Sequence, residues 1–377
     1  MSGPDIDKHI TAENIFDCSN ADNFISSIVK ALNYKGISGS KFYICEVSEI
    51  RFLVKLCFYF KQSREIYGTR DATRIPSIDA EINILQLLGK KITDTNISPC
   101  ILELAHYKIC ENVADLTPVA ECDNLIHADR ASSTIEDDVH NLFCHYLDLV
   151  NHGLASNKCA FLVLDTCDMT LETYLHGSSA SRTLQVVLKS IIFQIIYTFY
   201  AITKIYPKFR HMDLHTENVM LKFDTDYKFQ ISSPKFLNFT INGSEHAIPY
   251  FGIIPKIIDF GFAEIPEENI ISDATDIQVL YYRSDNDLIF LFNHILSTLN
   301  MVGSSSRDVI NDLFSELDPT KSYVKYYTPH VRRIQDSIPT YEQMVTNSTW
   351  EEYKNTKVSK KQIHKKYTPL ENADFSG

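Results

Sequence analysis

The sequence contains no Cys-x-x-Cys pair, although it has nine cysteines in 377 residues. The odd number, the missing pair and the apolar runs around Cys45, Cys57 and Cys159 point to free thiols that pack as small hydrophobes. They exclude an obvious zinc knuckle and lead to the expectation of a reducing compartment without disulfides. A signal-peptide apolar core is also missing, since the N-terminal "MSGPDIDKHITAEN" is polar. The longest apolar stretch, "IIFQIIYTFYAI" (191–202), is too short to span a bilayer and contains Gln194. Positive charge is in deficit: 36 Lys and Arg face 48 Asp and Glu, a net charge of −12. That balance argues against nucleic acid or an anionic membrane as the main partner. One local exception, Lys357, Lys360, Lys361, Lys365 and Lys366, reads as a solvated tail or helix face. The expectation is a soluble intracellular protein, long enough for one large domain or two linked ones.

What is present falls into a strand-rich first part and a helix-rich second part. "NADNFISSIVKALNY" (20–34) places Phe24, Ile25, Ile28, Val29 and Leu32 on one helical face. "IRFLVKLCFYF" (50–60) reads as a buried strand, with Lys55 an anomaly in its middle because a buried ammonium needs a partner. "IPSIDAEINILQLLGK" (75–90) is a helix with Ser77 as candidate N-cap and Gly89 placed to end it. Strand-like pieces at 98–107 and 159–166 flank a polar stretch near 108–135, which reads as an insertion loop, and a helix is expected at 137–151. A long helix, apolar on most sides, covers 184–206. In 235–250 two apolar runs meet at Asn242-Gly243, a strong hairpin signal. "PKIIDFGFAEI" (255–265) is a short buried strand ending in Asp-Phe-Gly, and the chain from 285 onward looks mainly helical.

Between the long helix and the hairpin lies "FRHMDLHTENVML" (209–221). Phosphoryl transfer asks a protein for cations, ligands to hold them, and an acceptor that orients the attacking hydroxyl. Asp213 can accept a hydrogen bond from such a hydroxyl, and Asn218, five residues on, offers a neutral oxygen to Mg²⁺. Asp259, followed by Phe260 and Gly261, supplies a charged magnesium ligand; Mg²⁺ favours few protein oxygens with phosphates and water completing its shell.

"HMDLHTENVML" with "IIDFG" resembles the catalytic and magnesium-binding loops of the protein kinase superfamily. The resemblance covers roughly residues 35–300 and implies an α+β, two-lobed fold with a small β-rich N-lobe and a larger helical C-lobe. It divides the chain into an extension with a helix (1–34), a catalytic domain (35–300, N-lobe to about 165 and C-lobe from about 168) and a helical remainder and tail (301–377). ATP and Mg²⁺ are the implied cofactors, and a protein Ser or Thr hydroxyl is the implied substrate. Lys55 looks like the strand lysine that holds the α- and β-phosphates, and Glu81 like its helix partner, with Glu46 and Glu65 as competitors. Leu164 falls at the gatekeeper position, Asp165 to Cys167 line the adenine, and Gly36 and Gly39 are what remains of a phosphate-covering glycine loop. Asp287, with Asp285 as competitor, resembles the aspartate that braces the catalytic loop, and His211 a histidine that packs on the magnesium loop.

Three departures mark the branch. Met212 stands where an arginine is common, and only 25 residues (262–286) separate Gly261 from Asp287, with no Ala-Pro-Glu motif among them. His215 replaces the usual lysine, as in haspin-like kinases and kinase-like proteins of large DNA viruses. The 40 residues (219–258) between Asn218 and Asp259 contain an inserted hairpin that also looks like the viral group. The expectation is an atypical Ser/Thr protein kinase, in the host cytoplasm or virion if viral. A small-molecule kinase of the aminoglycoside or choline kinase kind and a nucleotide-binding pseudokinase scaffold are the alternatives.

Overall fold

In the computed structural model of the chain, the described residues are 16–19, 21–32, 40–47, 49–61, 74–116, 122, 134–178, 181, 183–227, 235–274, 287–324 and 338–369. They form two compact units, one made of residues up to Ile82 with Glu103–Thr166, the other of Asn83–Leu102 with Cys167 onward. The expected glycine-loop residues Gly36 and Gly39, and the competitors Glu65 and Asp285, lie outside the described residues.

The first unit is built on one antiparallel sheet. Its strands are β1 (Ile28–Leu32), β2 (Lys41–Val47), β3 (Ile50–Phe60), β4 (Leu104–Cys110) and β5 (Ala155–Leu164), in the order β1-β2-β3-β5-β4. β3 matches its sequence expectation at both ends and sits in the middle, buried from Phe52 to Tyr59. Lys55 therefore projects from a central strand between Phe42 and Leu162, not from an edge. Among the described residues three helices accompany the sheet: α1 (Asp22–Ser27), the start of α2 (Ser77–Leu88, which runs on into the second unit), and α3 (Ile135–Asn151). Thr134 caps α3 with a reciprocal box, its hydroxyl accepting from Asp137 N (3.1 Å) while the Asp137 carboxylate accepts from Thr134 N (2.9 Å). Phe143, Tyr146 and Leu147 of α3 then pack in one core with Phe24, Phe52, Phe58 and Phe161.

Three expectations for this unit are corrected. The helix expected over 20–34 ends at Ser27, and Ile28–Leu32 pair with β2 instead. Ile28 and Val29 are β-branched and suit the sheet, and Val29 is half exposed, so the apolar face was not helical. The strand expected at 98–107 begins only at Leu104 and extends to Cys110, into the stretch read as a loop. The expectation of no disulfides also fails: Cys18 is bonded to Cys110 and Cys122 to Cys144. The partners are 92 and 22 residues apart, a pairing that local spacing cannot reveal. Cys45, Cys57, Cys100 and Cys159 are buried thiols outside any disulfide, and Cys167 is a half-buried one.

Among the described residues of the second unit, five helices join three small sheets. The helices are α4 (Leu171–Ser178), α5 (Leu184–Ile205), α6 (Asp287–Met301), α7 (Arg307–Leu317) and α8 (Tyr341–Val345). α5 is the helix expected at 184–206. At 22 residues it is long and apolar enough to cross a membrane, contrary to the length argument from sequence, yet 83% of its most apolar window is buried within the protein. It serves as the core helix, with Phe193 and Tyr197 packed on Phe239.

β6 (Met169–Thr170), β7 (Val219–Phe223) and β10 (Ile253–Ile257) form one sheet, in the order β10-β7-β6. The inserted hairpin is β8 (Lys235–Ile241) and β9 (Ser244–Tyr250), turned at Asn242 and Gly243, both at positive φ as a tight hairpin requires. β11 (Glu264–Ile265) and β12 (Ile270–Ile271) pair after Asp-Phe-Gly. β13 (Ile363–Lys366) adds to β8 in parallel, so the basic cluster is part strand and not a tail. Lys366 pairs with Glu245, the ammonium of Lys365 lies over the Tyr367 ring, and Tyr367 stacks on Phe239. Lys357, Lys360 and Lys361 are solvent-exposed, as expected of that cluster.

Candidate active site

Lys55 is answered by Glu81. Its ammonium lies 2.7 Å from both carboxylate oxygens, and the two side chains are only 2% and 5% exposed. The pair forms because β3 points Lys55 off the central strand while α2 sets Glu81 on its inward face. Each charge removes the desolvation cost that the other would bear alone. Glu46, a competing partner, is engaged at the surface by Arg51 at 2.6 Å.

β5 of the same unit ends at the buried Leu164, and Asp165 N donates to Glu103 O at 3.1 Å. Cys167 opens the second unit with a half-buried thiol outside any disulfide.

In the second unit the loop between α5 and β7 gathers four of the expected residues. Asn218 donates from its amide nitrogen to Asp213 O (2.8 Å) and Asp213 Oδ2 (3.2 Å), which leaves the amide oxygen as its acceptor end. Ile258, the neighbour of Asp259, donates its N–H to Asn218 O at 3.1 Å, so the two loops are stitched together. The imidazole Nε2 of His215 is 3.7 Å from Asp213 Oδ2. Asn218 and Asp259 thus offer the kind of oxygen pair Mg²⁺ takes when phosphates supply the rest. Among the described residues no cluster of three or more His, Cys, Asp or Glu side chains forms a protein-only metal cage.

Two residues of this region, Met212 (φ 67°) and Asp259 (φ 61°), occupy the left-handed region without being glycine. Such strain persists only where surrounding bonds over-determine it, and it collects at functional sites. For Met212 the bonds come from Asp287 at the start of α6. Its carboxylate oxygens accept from His211 N (2.9 Å) and Met212 N (2.8 Å), the bracing role expected for it. Burial pushes the Asp287 carboxyl pKa up, opposed by His211 and these two N–H bonds.

The two histidines of the loop differ. His211 is wholly buried, packs on Phe260 (4.9 Å) and places Nε2 3.0 Å from Ile258 O. A carbonyl only accepts, so Nε2 carries the proton and the buried Nδ1 is left without a partner among the described residues. Burial lowers its pKa and keeps it neutral. For His215 burial also acts to lower the pKa, but Asp213, Glu217 and Asp259 outweigh it and the net shift is upward. His215 Nδ1 accepts the N–H of Glu217 at 3.2 Å, a bond that a second ring proton would open.

Several contributors had no signal in the sequence. Arg210 and Glu264 exchange backbone hydrogen bonds (3.1 and 2.9 Å), which pins the segment after Asp-Phe-Gly to the residue before His211. His294, seven residues after Asp287 on α6, sets its ring 5.5 Å from that of His215. Burial, then the neighbouring His215, push the His294 pKa down to about 4. The spacing of two helical turns between Asp287 and His294 could have suggested a shared face. Glu172 of α4, whose carboxylate accepts from Thr216, gave no such hint.

Two proteins of Acanthamoeba polyphaga mimivirus are similar to this chain. "Putative serine/threonine-protein kinase R400" is 25% identical over 264 residues, covering 69% of this chain and 52% of the relative. "Putative serine/threonine-protein kinase R301" is 23% identical over 240 residues, covering 59% and 57%. The chain spans just over half the length of these curated relatives. No family profile matches it. The chain is kinase-like, and its sheet-rich first unit and largely helical second unit are those of a two-lobed kinase-like fold.

Proposed function

We propose that the chain is an ATP-dependent phosphotransferase, an atypical Ser/Thr protein kinase of the kind found in large DNA viruses. The observation that carries this reading is the Asp213–Asn218 pair stitched to the Asp259 loop through Ile258. Asp213 would accept the hydrogen bond of the attacking hydroxyl and take its proton as the new O–P bond forms and the bond from the γ-phosphorus to the β–γ bridging oxygen breaks, with ADP as the leaving group. Asn218 and Asp259 would hold Mg²⁺, which neutralises charge on the β- and γ-phosphates. Lys55, fixed by Glu81, would grip the α- and β-phosphates, and a cationic His215 would face the γ-phosphate. Leu164, Asp165 and Cys167 would border the adenine, and Gly36 and Gly39 would cover the phosphates. A protein substrate is favoured by the names of the two mimivirus relatives.

The test is transfer from γ-labelled ATP with Mg²⁺, to the protein itself and to a mixed Ser/Thr peptide library. Label on protein or peptide is the expected result. Label only on an aminoglycoside or choline panel would replace this reading with a small-molecule kinase. Nucleotide-dependent thermal stabilisation without any transfer would replace it with a pseudokinase scaffold.

A further inference from the structure

Glu172 stands at the first turn of α4, outside every motif considered above. A single oxygen, Oε2, accepts the hydroxyl hydrogen of Thr216 at 2.5 Å and lies 2.8 Å from the Thr298 hydroxyl, whose one hydrogen it shares with His294 O at 3.0 Å. The other oxygen lies 3.2 Å from His176 Nε2. Thr216 and Thr298 are 1% and 2% exposed, so water does not compete for either hydroxyl. A carboxylate oxygen bonded by two buried hydroxyls is a directional tie, stronger than a neutral acceptor would give, with the Glu172 side chain itself 22% exposed. It joins three elements: α4, the catalytic loop and α6.

What it ties matters. Thr216 opens the single helical turn Thr216–Asn218, and Asn218 is bonded in turn to Asp213. Thr298 lies one turn beyond His294 on α6, the helix whose start already holds His211 and Met212 through Asp287. α6 therefore meets the loop at three heights: directly at Asp287, ring to ring at His294, and through Glu172 at Thr298. His294 packs on His215, the N-cap of the turn carrying Asn218, and Glu172 bonds Thr216 within that turn.

We propose that Glu172 is a positioning residue: its carboxylate ties Thr216 to Thr298 and so sets the turn that presents Asn218 beside Asp213. The consequence for rate rests on the phosphotransferase reading; the consequence for the turn does not. The first measurement is therefore amide hydrogen exchange over 214–218 in the free protein, with Glu172→Ala, Glu172→Gln, Thr216→Val and Thr298→Val. Loss of one hydrogen bond to a charged group predicts exchange about tenfold faster in this segment for Glu172→Ala and Thr216→Val. The double variant should add little to either single one, since both cut the same tie. Glu172→Gln, whose amide oxygen can take both hydroxyls, should exchange close to wild type. In the transfer assay, Glu172→Ala should raise the half-saturating Mg²⁺ concentration and lower kcat while leaving the KM for peptide unchanged.

Unchanged exchange over 214–218 in a folded Glu172→Ala protein would overturn the proposal, as would an increase spread evenly over the whole second unit. If Glu172→Ala does not fold, Thr216→Val, which changes one hydroxyl to a methyl, decides the matter on the same criterion. Faster local exchange in a protein whose wild type transfers no phosphate would sink the phosphotransferase reading and leave the positioning role standing.

Discussion

The Lys55–Glu81 pair and the Asp213 loop handle charge in opposite ways. The pair is closed: opposite charges meet at 2.7 Å in a dry core, and each exists only because the other does. The loop brings like charges and neutral donors together, with Asp213 and His215 16% and 20% exposed, and leans on Asp287 and Glu172 to hold its shape. A closed pair of this kind is first a folding element; under the proposed function the partly open loop, braced from outside, would be first a reactive one. Mutations should therefore separate stability from transfer differently in the two places.

The largest effect on stability belongs to the pair. Lys55→Met leaves a buried, unpaired Glu81 and should cost about 3–5 kcal/mol, whereas Lys55→Met with Glu81→Leu should recover most of it. Urea unfolding of the two variants checks this, and a double variant no more stable than the single one would show that the pair is not mutually supporting. Both variants should lose transfer, because recovering the fold does not restore a phosphate-binding cation.

A somewhat smaller effect is expected from the disulfides, which belong to the first unit alone. Reducing Cys18–Cys110 and Cys122–Cys144 frees loops of 92 and 22 residues, and typical disulfide contributions put the loss at about 2–4 kcal/mol each. Urea melts with and without reductant measure it. A nonreducing mass map with both pairs unbonded would remove this prediction and restore the all-thiol expectation.

The smallest effect is a pH dependence that sets histidines of the second unit against one another. His211 and His294 have folded pKa values below the ordinary imidazole value, so the unfolded chain binds their protons more readily. Their contribution to stability is present above about pH 6.5 and is lost as pH falls toward 4. His215 is shifted upward, so its contribution has the opposite sign: present below about pH 6.5 and lost as pH rises through its folded value. As pH falls from about 6.5 toward 4, wild type should lose stability relative to His294→Leu; parallel profiles would show that His294 titrates normally.

Much of this molecule was legible in the sequence where the signal is local. β3 could be read to its end residues because apolar and aromatic residues dominate its eleven positions, and the hairpin because Asn242-Gly243 admits little else. Asp213, Asn218 and Asp259 were legible as types at characteristic spacings, and the structure brings them together. What escaped is non-local. β1 was mistaken for helix because its apolar residues satisfy both periods until the pairing with β2 chooses one. β13 looked like a charged tail because its partner strand lies more than 120 residues earlier. The disulfides and the Thr216–Glu172–Thr298 tie join residues that only the fold makes neighbours.

The central claim, that the Asp213 loop is reactive and not merely structural, is tested most directly by comparing Asp213→Asn with wild type in one preparation. Stability and stabilisation by Mg²⁺ and ATP should be nearly unchanged, while labelled phosphate transfer should fall by about 10²–10⁴-fold, the range of a lost general base. Equal transfer by the two proteins would contradict the account.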